Sequence, residues 1–329
     1  MPSGTAPEMP PLVSVVIPVF NQGAFLRHAI ESVLSQDYAP LEVIVVDDGS
    51  TDETPAVIAA FGNRIRAIGQ VNRGAANALN CGIRNARGDL ICWLSADDAF
   101  LPGKVAAQVA VFTKHPEIGV CCTGSFLVDA AGHRFRALPR ARWIHPDQFI
   151  AIFWRNPING STVMMSKAVL NEIGPFNETL RADVDADMWL RVAQRYPILE
   201  VPSCLLEYRV HSAALSADTL LMIDSISRVR RAYLENGTLL ARLHQWEGNR
   251  EPEVLARMSA FYALRGFRSL AIELLATSRS VGLAPARQSL AWSFIVLTSW
   301  TSLHRYAIGL ARAGRRYVGR LSCCSSVRG

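Results

Sequence analysis

Two short runs near the start of the chain, Val13 to Val19 (VSVVIPV) and Leu41 to Val46 (LEVIVV), constrain the fold more than any other feature of its 329 residues. Both are dominated by β-branched residues with little polar alternation, the pattern of strands covered on both faces. Between and after them the apolar spacing turns helical. In Asn21 to Gln36 the apolar positions are Phe25, Ala29, Ile30, Val33 and Leu34, and further helices are predicted over Thr54 to Phe61 and Ala75 to Ala86. Arg66 to Ile68 reads as a short strand and Leu90 to Leu94 (LICWL) as another buried one. Strand–helix repetition of this kind predicts an α/β fold with a mostly parallel central sheet, right-handed crossovers and flanking helices. Ligands of such sheets sit outside the carboxyl ends of the strands. The acidic stretches Asp47-Asp48-Gly49-Ser50-Thr51-Asp52 and Ser95-Ala96-Asp97-Asp98 both fall there.

Beyond Gly103 the pattern is mixed. Val120 to Val128 and Val163 to Met165 read as strands and Asp183 to Arg195 as a helix, and past Ser216 only helices are predicted. The expected organisation is a flexible N-terminus over residues 1–11, a catalytic-type α/β domain over 12–215, and a mainly helical region with a basic tail over 216–329.

Charge distribution narrows the function classes. The chain has 34 Lys+Arg against 28 Asp+Glu, but six arginines and no acid follow His304, so the body is neutral and nucleic acid is not an expected partner. Seven cysteines, including the adjacent pairs Cys121-Cys122 and Cys323-Cys324, show neither a disulfide framework nor zinc spacing, so reduced thiols and a cytoplasmic location are expected. No signal peptide is read at the N-terminus, and the apolar stretch Leu290 to Trp300 is too short for the ~20 residues of a spanning helix. Leu290 to Arg320 mixes aromatics with arginines and has two readings: a helix packed on its own domain, or peripheral contact with the anionic inner face of a membrane.

Each acidic cluster has a chemical and a merely structural reading. Asp48 could accept hydrogen bonds from a nucleobase or ribose, or simply serve the turn before a helix. Asp97 and Asp98 repel each other unless a cation is present, and oxygen ligands favour Mg2+ or Mn2+; alternatively they form a solvated helix start. In Asp183, Asp185 and Asp187 one carboxylate could take a proton from an attacking hydroxyl, or all three could serve the dipole of a helix N-terminus. His211, in Tyr208-Arg209-Val210-His211-Ser212, gains meaning only if the chain returns it toward Asp97.

Taken in order, VSVVIPVFNQGAFLRHAIESVLSQ, LEVIVVDDGSTDET, GDLICWLSADD, FNETLRADVDADMWLRVA and YRVHS resemble a family 2 glycosyltransferase of the inverting GT-A type, over roughly residues 12–213. The resemblance implies that Pro18, Phe20 and Asn21 line the nucleotide pocket, that Asp48 meets the base, and that Arg73 contacts the nucleotide or diphosphate. It assigns Asp97 and Asp98 to the ribose and a metal-bound diphosphate as the DxD motif, whose first acid is Ser95 here. It makes Asp185 the general base, with Val184 replacing a frequent acid, His211 a metal or diphosphate ligand, and Asn156 to Thr162 an acceptor-side loop. The implied reaction is a metal-assisted (Mg2+ or Mn2+) in-line transfer of a hexosyl-type sugar, the EC 2.4 class. It runs from a UDP-, GDP- or dTDP-sugar to a glycan, polysaccharide or lipid-linked hydroxyl, as in cell-envelope polysaccharide biosynthesis. Two alternatives stay open: a non-catalytic nucleotide- or sugar-binding module, and a nucleotidyltransferase. The latter typically offers a basic, Gly-rich loop where this chain reads Val19-Phe20-Asn21-Gln22-Gly23. A dinucleotide-dependent dehydrogenase is disfavoured because no GxGxxG follows the first strand.

Overall fold

The computed structural model describes residues 10–139 and 143–282, so the tail reading over Leu290 to Arg320 lies outside the described residues. The chain divides at Ser225/Ile226 into two compact units.

The first unit begins with β1 (Val13–Val19), α1 (Gly23–Leu34), β2 (Leu41–Asp47), α2 (Thr54–Ala59), β3 (Arg66–Gly69), α3 (Ala75–Asn85) and β4 (Leu90–Trp93). It continues with β5 (Ala99–Phe100), α4 (Lys104–Lys114), β6 (Val120–Val128), β7 (Arg134–Leu138), α5 (Gln148–Arg155), β8 (Met164–Ser166), α6 (Lys167–Ile173), α7 (Val184–Val192) and β9 (Ile198–Arg209). The nine strands form one sheet in the order β3-β2-β1-β4-β8-β6-β9-β5, with β7 paired to β6.

The first four strands run parallel. Their apolar continuity follows from burial on both faces. Val13, Val15, Ile17 and Val19 pack with Leu26, Ala29, Ile30 and Val33 of α1, while Val16 faces α3 on the other side. There a Cβ on Gly82 would stand 2.3 Å from Val16 Cγ1, so only glycine lets the helix approach so closely.

The parallel order ends at β4. β8 runs antiparallel to it, with Leu90 opposite Ser166 and Cys92 opposite Met164, and β6 is antiparallel to β8 but parallel to β9. β9 has no counterpart in the sequence reading, for a physical reason. Its pairing with β6 jumps from Thr123–Val201 to Gly124–Cys204, so Pro202 and Ser203 bulge out of the ladder, and much of the strand is only half-buried. A proline bulge in a partly exposed strand erases the apolar run that marks a strand in sequence. Helices α4, α5 and α6 and strands β5 and β7 likewise have no counterpart in the sequence reading.

Helix α8 (Thr219–Glu235) runs across the division, followed by α9 (Thr238–Glu247), α10 (Glu251–Ala263) and α11 (Arg268–Ser280). In the second unit α10 and α11 bury Leu255, Met258, Tyr262, Leu270 and Leu274. The Ser259 hydroxyl donates to the Ala271 carbonyl at 2.6 Å. No described helix is long and apolar enough to cross a membrane. Cys81, Cys92, Cys121, Cys122 and Cys204 are free thiols.

Candidate active site

The ends of β2, β1 and β4 lie side by side. Asp47 is opposite Val19 and Trp93 opposite Val16, and the Asp48 and Leu94 amides extend the pairing to the carbonyls of Val19 (2.8 Å) and Val16 (3.0 Å). The acidic turns after β2 and β4 therefore flank the turn at Phe20 and Asn21. Pro18 is half-buried inside β1, and the Phe20 side chain is 45% exposed. Asn21 adopts φ 50°, a left-handed conformation that short polar side chains tolerate. Its amide donates to Ser50 Oγ (2.9 Å) and its Oδ1 accepts from the Thr51 amide (2.8 Å).

Asp48 is 3% exposed. Its Oδ1 accepts from Gln70 Nε2 (2.7 Å) and the Arg73 amide (2.8 Å), and its Oδ2 accepts from the Gly74 amide (2.8 Å). These bonds fill three of the roughly four lone-pair positions of a carboxylate. They hold the 70–74 loop so that the side of Arg73 is exposed.

The turn after β4 is fixed from two directions. The Ser95 amide donates to Ser161 Oγ (3.0 Å), and the Asp98 amide to the Ser95 carbonyl (3.0 Å). Strand β5 pairs antiparallel with β9, Ala99 opposite Glu207, which carries the turn to the end of β9. There the Arg209 amide donates to Asp98 Oδ1 (2.9 Å), and His211 Nε2 stands 3.0 Å from Asp97 Oδ2. The return of His211 to Asp97 thus comes from the strand that the sequence concealed. Asp98 is 1% exposed, and its Oδ2 has no hydrogen-bond partner of normal geometry. Burial, with the Asp97 charge adding to it, pushes the Asp98 carboxyl well above the usual carboxylate range; Ser161 and Arg209 pull the other way.

Helix α7 supplies the third cluster. Asp183 is its N-cap at φ 57° rather than a helical residue. Asp187 is committed to Arg191, at 3.0 Å, and that guanidinium also donates to the carbonyls of Ile173, Gly174 and Pro175. Asp185, half-buried, accepts from the Ala186 amide at Oδ1 (2.8 Å) and from Asn156 Nδ2 at Oδ2 (3.3 Å). The Asn156–Thr162 segment therefore touches both the β4 turn, through Ser161, and Asp185, through Asn156.

Tyr208 relates the second and third clusters. Burial raises its hydroxyl above the usual tyrosine range, and the charges of Asp98, Asp97 and Asp185 each add to that. The Ser216 hydroxyl, 3.3 Å from the phenol oxygen, pulls the other way. Phe176 packs edge-on against both Trp93 at the end of β4 (5.7 Å) and Trp189 of α7 (6.5 Å). Asn80 of α3 pins Phe176 by its amide and carbonyl, each at 2.9 Å.

Tyr208, Arg209 and Ser161 lie in segments that the sequence singles out, but the sequence alone gives these three residues no role in the arrangement. The only signal was the two-residue step from Arg209 to His211, which places both on one side of an extended chain. As for a metal, no group of three or more His, Cys, Asp or Glu among the described residues could hold one unaided. The facing Asp97 and His211, beside the unpartnered Asp98 oxygen, form a partial donor set. That suits Mg2+ or Mn2+, since Mg2+ is usually held by one or two carboxylates plus substrate phosphates.

The chain is similar to known glycosyltransferases in sequence and in fold. The sequence model of glycosyl transferase family 2 matches residues 14–174. A Rickettsia prowazekii (strain Madrid E) protein described as an uncharacterized glycosyltransferase is 32% identical over 233 residues, 69% of this chain and 73% of the relative. Residues 1–349 of S. aureus TarS, solved in complex with UDP-GlcNAc, superpose with a TM-score of 0.63 at 16% identity, covering 90% of this chain and 92% of that one. The mannosyltransferase PcManGT from Pyrobaculum calidifontis, in complex with GDP-Man and Mn2+, superposes with a TM-score of 0.54 at 20% identity, covering 89% and 87%. At such identities the structural likeness speaks for the fold, which is GT-A. With the family match, the relative and the strand-end acids in agreement, the chain belongs to glycosyl transferase family 2 and is a glycosyltransferase.

Proposed function

We propose that this glycosyltransferase moves a sugar from a nucleoside-diphosphate sugar to a hydroxyl of a glycan or lipid-linked acceptor, with inversion and with help from Mg2+ or Mn2+. The observation that carries the reading is the Asp97–His211 contact beside buried Asp98, with the Asn156–Thr162 segment touching both that turn, through Ser161, and Asp185, through Asn156. The bound donors of the two structural neighbours, UDP-GlcNAc and GDP-Man, are of the same chemical class.

On this reading Phe20 offers an apolar face to the base, and the remaining lone pair of Asp48 accepts a base N–H. The Arg73 guanidinium, held outward by the Asp48 loop, approaches the diphosphate. Asp97, Asp98 and His211 would hold the cation, which supplies positive charge opposite the departing diphosphate. Asp185, oriented by the Asn156 amide, takes the proton of the acceptor hydroxyl as that oxygen attacks the anomeric carbon. Holding donor and acceptor in line supplies much of the remaining acceleration. A basic C-terminal segment resting on an anionic membrane surface would suit a lipid-linked acceptor.

The test is Asp185→Asn. Calorimetric titration with UDP and with GDP, each with Mn2+, is expected to match wild type within about twofold. Release of nucleoside diphosphate from nucleotide sugars is expected to fall ~10²–10⁴-fold, the usual worth of a general base. A folded variant that loses nucleotide binding would remove Asp185 from this role. Wild-type protein that binds nucleotide and turns over no nucleotide sugar would favour the non-catalytic binding module.

A further inference from the structure

We propose that Arg209 is a positioning residue for the two-acid turn: its main-chain amide and guanidinium set Asp98 and Asp97 in the geometry that meets His211. This rests on the reading of Asp97, Asp98 and His211 as the cation and diphosphate end of the site.

Arg209 is 6% exposed. Its amide donates to Asp98 Oδ1 at 2.9 Å and its Nε to the Asp97 carbonyl at 2.9 Å. Its Nη1 donates to the carbonyls of Asp129 (3.0 Å) and Ala130 (3.1 Å), in the turn between β6 and β7. One buried guanidinium thus ties the acidic turn to a second turn 32 residues further along the chain. The Phe25 ring completes the cradle, lying 5.1 Å from the Arg209 Cζ and 4.9 Å from the His211 ring centroid.

Asp97 is therefore gripped at two points. Arg209 holds its carbonyl, and His211 meets its carboxylate. Adjacent carboxylates repel, and here both are buried, Asp97 at 9% and Asp98 at 1% exposure, so water does little to relieve the repulsion. The planar guanidinium fork reaches three carbonyls in a fixed geometry; a lysine ammonium, a point charge on a flexible stem, cannot copy all of these bonds. A site with its donors already in place avoids the cost of ordering them when the cation and diphosphate arrive. The competing role, anchoring only the Asp129-Ala130 turn, predicts lower stability with no change at Asp97.

The experiment uses the full chain as wild type, Arg209→Lys and Arg209→Met. Each is titrated with UDP and with GDP, with and without Mn2+, and amide hydrogen exchange is followed over residues 95–100. In Arg209→Met the gain in nucleotide affinity from Mn2+ is expected to fall ~10–100-fold, the usual effect of losing a group that orients metal ligands. Exchange over 95–100 is expected to quicken, and Arg209→Lys to recover part of both. A folded Arg209→Met with wild-type Mn2+ gain and wild-type exchange overturns the proposal, even if its melting temperature falls. Should Arg209→Met fail to fold, the same two wild-type results in Arg209→Lys overturn it. Wild-type protein that shows no Mn2+-dependent binding of either nucleotide overturns the site reading instead, and the exchange data then decide the positioning claim alone.

Discussion

Asp98→Asn is expected to make the ligand-free protein more stable while removing Mn2+-dependent nucleotide binding. In wild type the carboxylate is 1% exposed, beside Asp97, and its Oδ2 has no hydrogen-bond partner of normal geometry, the Ser161 hydroxyl offsetting only part of the burial. The amide of asparagine keeps an oxygen to accept from the Arg209 amide, removes a buried charge, and places an N–H donor near Asp97. Leaving a buried polar atom unpaired costs about 1–3 kcal/mol, and this is the gain expected from the substitution. For a unit of 150–250 residues that corresponds to a rise of about 2–12 °C in melting temperature. The effect depends on pH in a defined sense. Because burial and Asp97 raise the folded carboxyl above its unfolded value, the contribution of Asp98 to stability is complete below the unfolded carboxylate range. It is lost as pH rises through the folded one. The gap between Asp98→Asn and wild type should therefore be wide at pH 7.5 and close toward roughly pH 4, near the unfolded value. Scanning calorimetry in EDTA measures it. A variant melting at or below wild type at pH 7.5, or a gap independent of pH, would refute the argument that this carboxylate is held against its own solvation.

Two further outcomes concern the frame around the site. Asn80→Ala strips partners from both the amide and the carbonyl of Phe176, so urea unfolding should show a loss of about 1–3 kcal/mol for each orphaned group, with an unchanged m value. Lys104 is fully buried, its ammonium on Gln108 Oε1 at 2.7 Å and 4.0 Å from the Phe100 ring centre. Burial lowers its titration below the ordinary lysine value of 10.5, so the unfolded chain binds more protons than the folded one just below that pH. Wild-type stability should gain from this group as pH rises toward 10.5, by at most about 1.4 kcal/mol per pH unit. Lys104→Met should lack that part of the slope, and urea unfolding from pH 8 to 10 that gives identical slopes for the two proteins would count against a lowered titration of this lysine.

The amino-acid sequence by itself determined the parallel half of the sheet and the strand ends where chemistry collects. Strands buried on both faces are apolar at nearly every position, with hydrogen-bonded Ser14 of β1 and Glu42 of β2 as the exceptions within the runs. So β1, β2 and β4 could be read as almost continuous runs, and the polar residues that follow each run mark the edge. What it could not convey was which acids share a neighbourhood. Apart from the family resemblance, which picks Asp185, nothing local ranks Asp183, Asp185 and Asp187 by role; packing makes the first a helix cap and commits the last to Arg191, leaving Asp185 against Asn156. Asp97 and His211 are 114 residues apart, and the strand that joins them is half-exposed and broken by Pro202. Its side chains report solvent as much as sheet, so no local period reveals it. The buried Arg209 belongs to the same class: its partners are backbone carbonyls, which every residue carries, and only the tertiary structure decides which carbonyls come within reach.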